Sequence, residues 1–317
     1  MNVLSLFDGI SCGQLALQRA GIKIDNYYAS EIESSCIQLV QNHFPNTIQL
    51  GDVTKIDESI LSSLPKIDLL IGGSPCQNLS RAGNGKGLKG DESKLFFEYV
   101  RILNLLKQNN NPHIKFLLEN VEMKKSNAEI MSKYLGVQPV LINSKLLSAQ
   151  NRPRLYWSNF KFEIPQDKNI KLKDILEQQD IELIERNGLY FDSTLSDKAI
   201  DLVFIDDNGK VAVKQATKQG FIYADDGDGI NLQFPTSKTR RGRVIKQKSS
   251  TLDRQCDCCV LDKNTIRKLS IVELERLQTL PDNYTKGFTD RERKSMIGNG
   301  WTVDVIAHIF SYLKEEI

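Results

Sequence analysis

The chain is poor in the groups that make other assignments easy. Histidine occurs three times in 317 residues, at 43, 113 and 308, without a set of ligand-type neighbours at metal-site spacing. Six cysteines stand at 12, 36, 76, 256, 258 and 259. The last three are too crowded for paired zinc ligands, and a chain this long needs no disulfide framework, so reduced thiols and a cytoplasmic location are expected, with no metal. No apolar run reaches the roughly 18 residues of a membrane-spanning helix, so no membrane partner is expected. A G-x-G-x-x-G stretch is also missing, which removes the dinucleotide fingerprint. A large excess of one charge sign is absent too: the net charge is +2, so any nucleic-acid contact must come from local patches. With 40% hydrophobic and 26% charged residues, the composition is that of an ordinary globular protein long enough for two domains.

What is present is a repeated pattern, an apolar strand followed by polar residues at its carboxyl end. Residues 2–7 read as a first strand. Asp8, Gly9, Ile10, Ser11, Cys12 and Gly13 then form a glycine turn before a short helix that Gly21 ends. Such a turn lets a ligand approach backbone and a helix N-terminus. A second strand near 27–30 ends in Glu31, where nucleotide-type sites place a carboxylate for ribose hydroxyls. A third, 47–50, ends in Gly51, Asp52 and Val53. The fourth, 67–71, runs into Gly72, Gly73, Ser74, Pro75 and Cys76. A buried cysteine is ordinarily a small hydrophobe, but this one follows a strand where open α/β sheets put ligands. Beyond it, residues 77–94 carry Gly83, Gly85, Gly87 and Gly90 with Arg81, Lys86 and Lys89, the composition of a mobile basic flap. A helix over 95–106 follows, then a strand over 115–118 that terminates in Glu119, Asn120 and Val121, then a strand over 137–142. Gln150, Arg152 and Arg154 precede the apolar run 155–157. This alternation predicts an α/β fold, a doubly wound, mainly parallel, Rossmann-like sheet with its site along one edge.

From about residue 162 the texture changes. Residues 203–213 read as a hairpin turning at Asn208 and Gly209. An acidic stretch, 225–228, precedes the span 237–248, which holds six Lys or Arg and no acid and suits a phosphate-tracking surface. Residues 267–280 and 296–310 return to helical apolar spacing, and the last helix is expected to dock on the first domain.

Together these stretches resemble the DNA cytosine-5 methyltransferases. The residues Phe7 to Gly13 match the family's methyl-donor motif, Gly73 to Gln77 its nucleophile motif, Glu119 to Val121 its acid motif, and Gln150, Arg152 and Arg154 its arginine motif. The stretches 267–281 and 298–300 look like its two last motifs. Gly73, Ser74, Pro75 and Cys76 stand where many bacterial members carry Phe-Pro-Cys, closer to animal de novo and some phage enzymes. The resemblance implies a class I fold dependent on S-adenosyl-L-methionine, with a catalytic domain over 1–161 and 284–317. A smaller, mixed target-recognition domain and hinge would occupy 162–283. By the same resemblance Cys76 adds to cytosine C6, Glu119 serves ring N3, Arg154 donates to ring O2, and Arg152 holds the loop or a phosphate. The donor is expected across Phe7, Asp8, Gly9, Ile10, Ser11 and Cys12, with Glu31 at the ribose, Asp52 and Val53 at the adenine, and Ile32 also in contact with it. Ser74, Pro75, Leu95, Asn299, Gly300 and Trp301 would complete that pocket. Gln77, Ser80, Arg81, Gln150, Lys238, Arg240, Arg241 and Arg243 are expected to contact DNA.

The expected partner is double-stranded DNA, bound by a monomer, with any cognate restriction endonuclease acting separately. The first motif departs from the family, having Ser11 and Cys12 where many bacterial members have a second glycine. Two alternatives stand beside this reading: an RNA cytosine methyltransferase of the tRNA-methylating branch, and a silent DNA-binding relative. The second would have lost its nucleophile or acid, and both are present.

Overall fold

The structure, a computed structural model, describes residues 1–75 and 94–315. Its contacts divide the chain into two compact units: Met1–Asn143 with Pro153–Pro165 and Gly300–Ile317, and Ser144–Arg152 with Gln166–Asn299.

The first unit is built on one sheet. Its strands are β1 (Asn2–Leu6), β2 (Asn26–Ser30), β3 (Ile48–Gln49), β4 (Leu69–Gly72), β5 (Lys115–Val121), β6 (Val140–Asn143) and β7 (Pro153–Ser158). Their spatial order is β3-β2-β1-β4-β5-β7-β6. Pairings from β3 through β5 are parallel, and β7 runs antiparallel between β5 and β6. Parallel strands are covered on both faces, so they read as continuous apolar runs, and Leu69, Leu70 and Ile71 are fully buried.

Helices α1 (Cys12–Arg19), α2 (Ser34–His43), α3 (Glu58–Ser63), α4 (Lys94–Asn109) and α5 (Lys125–Leu135) connect these strands. On α4 the buried residues Phe96, Tyr99, Val100, Leu103 and Leu106 recur at helical spacing and join the sheet's core with Leu4, Leu6, Phe116 and Trp157. The helix Val303–Ser311 docks beside α1, tied by Arg19 to Asp304 at 2.7 Å. Strand order reverses between β1 and β4, the switch point at which such sheets bind ligands.

The second unit is mainly antiparallel. Strands β8 (Leu183–Arg186) and β9 (Leu189–Asp192) lead into α6 (Asp197–Ile200) and then β10 (Val203–Ile205), β11 (Val211–Lys214) and β12 (Phe221–Tyr223), a three-stranded sheet whose first turn holds Gly209 at φ +77°. The six-stranded sheet β14-β13-β15-β16-β9-β8 adds β13 (Gly229–Asn231), β14 (Arg243–Ile245), β15 (Cys259–Asp262) and β16 (Thr265–Lys268). Helices α7 (Ile271–Leu277) and α8 (Asp290–Asn299) follow.

Three local expectations change. Glu119, Asn120 and Val121 do not follow β5 but lie in it, because β7 pairs with them. Arg267 and Lys268 end a strand rather than open a helix; the helix waits for Ser270, whose hydroxyl accepts from the Glu273 N–H in a capping box. Finally, contacts break at 299/300 rather than 283/284, and residues 144–152 go with the second unit, held there by bonds given below.

Candidate active site

The turn after β1 is strained. Phe7, Gly9 and Ser11 have φ of +58°, +59° and +57°, and for the first and last of these the left-handed region is costly. The alternation presents the turn's groups at the strand end. Asp8 accepts a 2.8 Å bond from the Tyr27 hydroxyl on Oδ1, whereas its Oδ2 is buried without a partner. Burial pushes this carboxyl up to about 6, against bonds from Ser5, Tyr27 and Ser11 that pull it down. Glu31, at the end of β2, accepts from Gly9 N–H at 2.7 Å, Ile32 N–H at 2.7 Å and Glu33 N–H at 2.9 Å. Three of a carboxylate's roughly four acceptor positions are thus taken, which leaves room for a single hydroxyl. Ile32 beside it is 70% exposed, and among the described residues, the adjoining ones apart, no atom lies within 4 Å of where a Cβ on Gly9 or Gly51 would sit.

These features fit S-adenosyl-L-methionine: an uncompensated acceptor for a cationic group, an acceptor for a hydroxyl, and an uncovered apolar side chain for a base. Ser11 and Cys12 are buried, so they face inward, Ser11 donating to Gln14. Asp52 caps the short turn Val53–Lys55 by accepting from Thr54 N–H, and that bond holds its carboxyl below the usual range. Leu95 is half-buried on α4, and Asn299 is exposed at the end of α8.

The acid lies one strand over from the switch point. Gly72 ends β4 opposite Leu118, so Glu119 stands level with Gly73. Arg154 on β7 is opposite Val121 and diagonal to Glu119 on the same face, a separation that a long side chain spans. Its Nε meets Glu119 Oε1 at 2.9 Å, with the two side chains 12% and 11% exposed. Trp301 Nε1 donates to the other carboxylate oxygen, Oε2, at 3.1 Å. Asn120, which alternation turns to the opposite face, donates to the carbonyl and hydroxyl of Ser74 at 3.2 and 3.1 Å. Acid and arginine are thereby fixed beside the segment that leads into residue 76. Cys76, Gln77, Ser80, Arg81 and the expected flap through residue 93 lie outside the described residues.

The Gln-x-Arg-x-Arg stretch divides. Gln150 is fully buried, its amide donating to Leu277 O and Gln278 Oε1 and accepting from Leu252 N–H. Arg152 donates to Leu252 O and Gly298 O at 2.9 and 3.1 Å. Both brace the second unit, so Gln150 is not presented to DNA as expected and Arg152 holds backbone rather than phosphate. Gly298 serves the same packing: a Cβ there would fall 1.9 Å from Asp253 O. Only Arg154 reaches the acid.

The basic span divides as well. Lys238, Arg240 and Arg243 are exposed, with the Arg240 guanidinium 4.4 Å over the ring of Phe234, and Arg241 is half-buried. Lys246 turns to Asp225 and Asp228 at 2.7 and 2.9 Å. Lys248 donates to the carbonyls of Lys145, Ser148 and Ile170, and burial lowers its pKa. Sequence reasoning missed Asn120 as an anchor, Tyr27 as the partner of Asp8, and the contact of Trp301 with the acid.

Sheet order and strand-end chemistry define a class I methyltransferase. The model of the C-5 cytosine-specific DNA methylase family matches residues 1–315. An orphan methyltransferase of Bacillus phage SPR is 32% identical over 202 residues, which cover 58% of this chain and 44% of the phage protein, so under half of that relative's length is spanned. A type II methyltransferase of Neisseria lactamica is 28% identical, with 99% and 96% of the two chains covered. Among solved structures, a putative DNA modification methyltransferase from an E. coli prophage superposes with a TM-score of 0.67 at 18% identity, covering 99% of each chain. A Spodoptera frugiperda DNMT2 variant gives 0.62 at 16%, again over 99% of each; these likenesses show the fold. The chain belongs to this family of cytosine-5 DNA methyltransferases.

Proposed function

We propose that the protein methylates C5 of a cytosine flipped out of double-stranded DNA at a specific sequence, through transient addition of Cys76 to ring C6. The observation that carries this reading is the Glu119–Arg154 pair at 2.9 Å, level with Gly73 and so three residues before Cys76. A stacked base is out of reach of any such site, and extruding it costs a few kcal/mol. Glu119 offers an acid for ring N3 and Arg154 a donor for ring O2, so both compensate the charge that builds as sulfur bonds to C6. A positioned acid of this kind contributes about 10²–10⁴ in rate. Phe7, Asp8, Gly9, Ile10, Glu31, Ile32, Asp52 and Val53 would hold S-adenosyl-L-methionine, which when bound supplies an electrophilic methyl group. Departure of the C5 proton then lets the sulfur leave.

Recognition of the target falls to the second unit, where Lys238, Arg240 and Arg243 are exposed; an Arg fork reads guanine bidentately. We read the protein as a cytoplasmic monomer acting on DNA independently of any cognate endonuclease. Bisulfite sequencing of DNA from cells expressing the chain tests the reaction and its target together. Wild type should leave one recurring methylated sequence, and Cys76→Ala none, while the purified variant still binds the donor. Turnover by Cys76→Ala, or methylation of tRNA in place of DNA, overturns the reading.

A further inference from the structure

Trp301 was expected at the methyl donor, yet its polar atom is committed elsewhere. Its Nε1 donates to Glu119 Oε2 at 3.1 Å across 182 positions of sequence, while Arg154 takes Oε1. Two glycines make room for the indole. A Cβ on Gly73 would lie 2.8 Å from Trp301 Nε1 and 3.0 Å from Glu119 Oε2, so the hydrogen bond passes directly over that Cα. On Gly13 a Cβ would lie 3.4 Å from Trp301 Cζ3, which puts the far edge of the ring against the first turn of α1. The residue precedes the helix Val303–Ser311, itself tied to α1 through Arg19 and Asp304. The indole is therefore held at both edges.

An indole N–H donates only, as does a guanidinium. The free acid thus faces a donor on each oxygen, and neither donor can take a proton from it. For Glu119 to serve ring N3, one oxygen must exchange its partner for the base. Arg154 can turn its long side chain from Oε1 toward ring O2 as the cytosine enters, whereas the indole is seated between Gly13 and Gly73 with its N–H on Oε2. Resting on the function proposed above, we propose that Trp301 is a positioning residue for the catalytic acid: its N–H fixes Oε2 of Glu119, so that Oε1 is the oxygen presented to the cytosine ring.

The test is a double-mutant cycle read in single-turnover methylation of duplex DNA. Trp301→Phe keeps a ring in the seat and removes the N–H, so the rate should fall roughly tenfold to a hundredfold, the scale of a hydrogen bond to a charged group. In a Glu119→Gln background the same change should cost less than about twofold, because the acid it positions is gone. Arg154 is the charged group that faces Glu119 among the described residues, and it is present in every arm of the cycle. Equal losses in both backgrounds, with a raised KM for the donor, would place Trp301 in the donor pocket alone and overturn the proposal.

A second measurement needs no tryptophan variant. The chain has two tryptophans, and the other, Trp157, donates to Ser132. In ¹⁵N-labelled protein one indole N–H signal should shift in Glu119→Gln, and two signals left in place by that substitution would also overturn the proposal. A wild-type enzyme that does not methylate cytosine would instead defeat the function itself, which the cycle does not address.

Discussion

The two units bury charge in opposite ways. In the second, each buried carboxylate is saturated. Glu273 accepts from both terminal guanidinium nitrogens of Arg267 at 2.9 Å and from the N–H groups of Glu177 and Ser270, and Glu275 accepts from Asn283, Thr285 and Arg293. Asp228 likewise holds Lys246 and the N–H groups of Asp225 and Gln247. In the first unit Glu119 is paired on both oxygens, but other buried acceptors stay open. The buried polar atoms without a hydrogen-bond partner among the described residues are Asp8 Oδ2 and the amide of Gln49, both at strand ends of this sheet. A buried acceptor left unmatched costs about 1–3 kcal/mol, a cost that a ligand with the right group removes. The fully paired carboxylates of the second unit therefore brace its fold, whereas an unmatched acceptor such as Asp8 Oδ2 suits a ligand.

Paired substitutions sharpen that contrast most. Glu119→Gln keeps the shape but sets an amide N–H against Arg154 or Trp301, so activity should drop about 10²–10⁴ with a smaller fall in melting temperature than at Glu273. Glu273→Ala should do the reverse. It leaves Arg267, 4% exposed, buried without its counter-charge, and breaking such a pair costs about 3–5 kcal/mol, read as a large fall in melting temperature. Equal stability losses at the two sites would break the comparison.

Asp8 gives a smaller effect with a definite sign. Its folded-state pKa is raised from 3.8 to about 6 by burial, so the stability associated with its neutral form is present below the unfolded value and is lost as pH rises through about 6. A cationic ligand prefers the ionised carboxyl. Donor affinity, measured by calorimetry, should therefore weaken about tenfold for each pH unit below that point and level off above it. Asp8→Asn should bind weakly at every pH with this dependence removed. An unchanged profile in the variant would take Asp8 out of the donor site.

The legible part of the molecule is the part in which neighbours in sequence are neighbours in space. Glu31, Asp52 and Gly73 to Pro75 follow short apolar runs, and such runs between glycines announce parallel strands and their carboxyl ends. Glu119 was harder, since only its pairing with the antiparallel β7 shows that the strand continues through it. Gln150, Arg152 and Arg154 share a spacing of two and so suggest one face, yet β7 begins at Pro153 and the first two residues, part of the second unit, bind backbone within it. The bond from Trp301 to Glu119 joins residues 182 apart and left no trace in either local pattern.

The basic span is the remaining case, and it yields the smallest expected effect. Six cations in twelve residues read alike in sequence, but side-chain partners separate them: Lys246 and Lys248 are committed to carboxylates and carbonyls, while Lys238, Arg240 and Arg243 are exposed. Each phosphate neutralised contributes about −0.9 to the slope of log affinity against log salt on duplex DNA. Replacing Lys238, Arg240 and Arg243 together by Ala should therefore flatten that slope by about 2–3, with folding intact. Lys246→Ala should leave the slope where it is and lower the melting temperature instead, because Asp228, fully buried, loses its cation. A steep slope retained in the triple variant would move the DNA-facing surface elsewhere. A flattened slope in Lys246→Ala would show that the Lys246–Asp228 pair opens to bind DNA and is not committed to the fold.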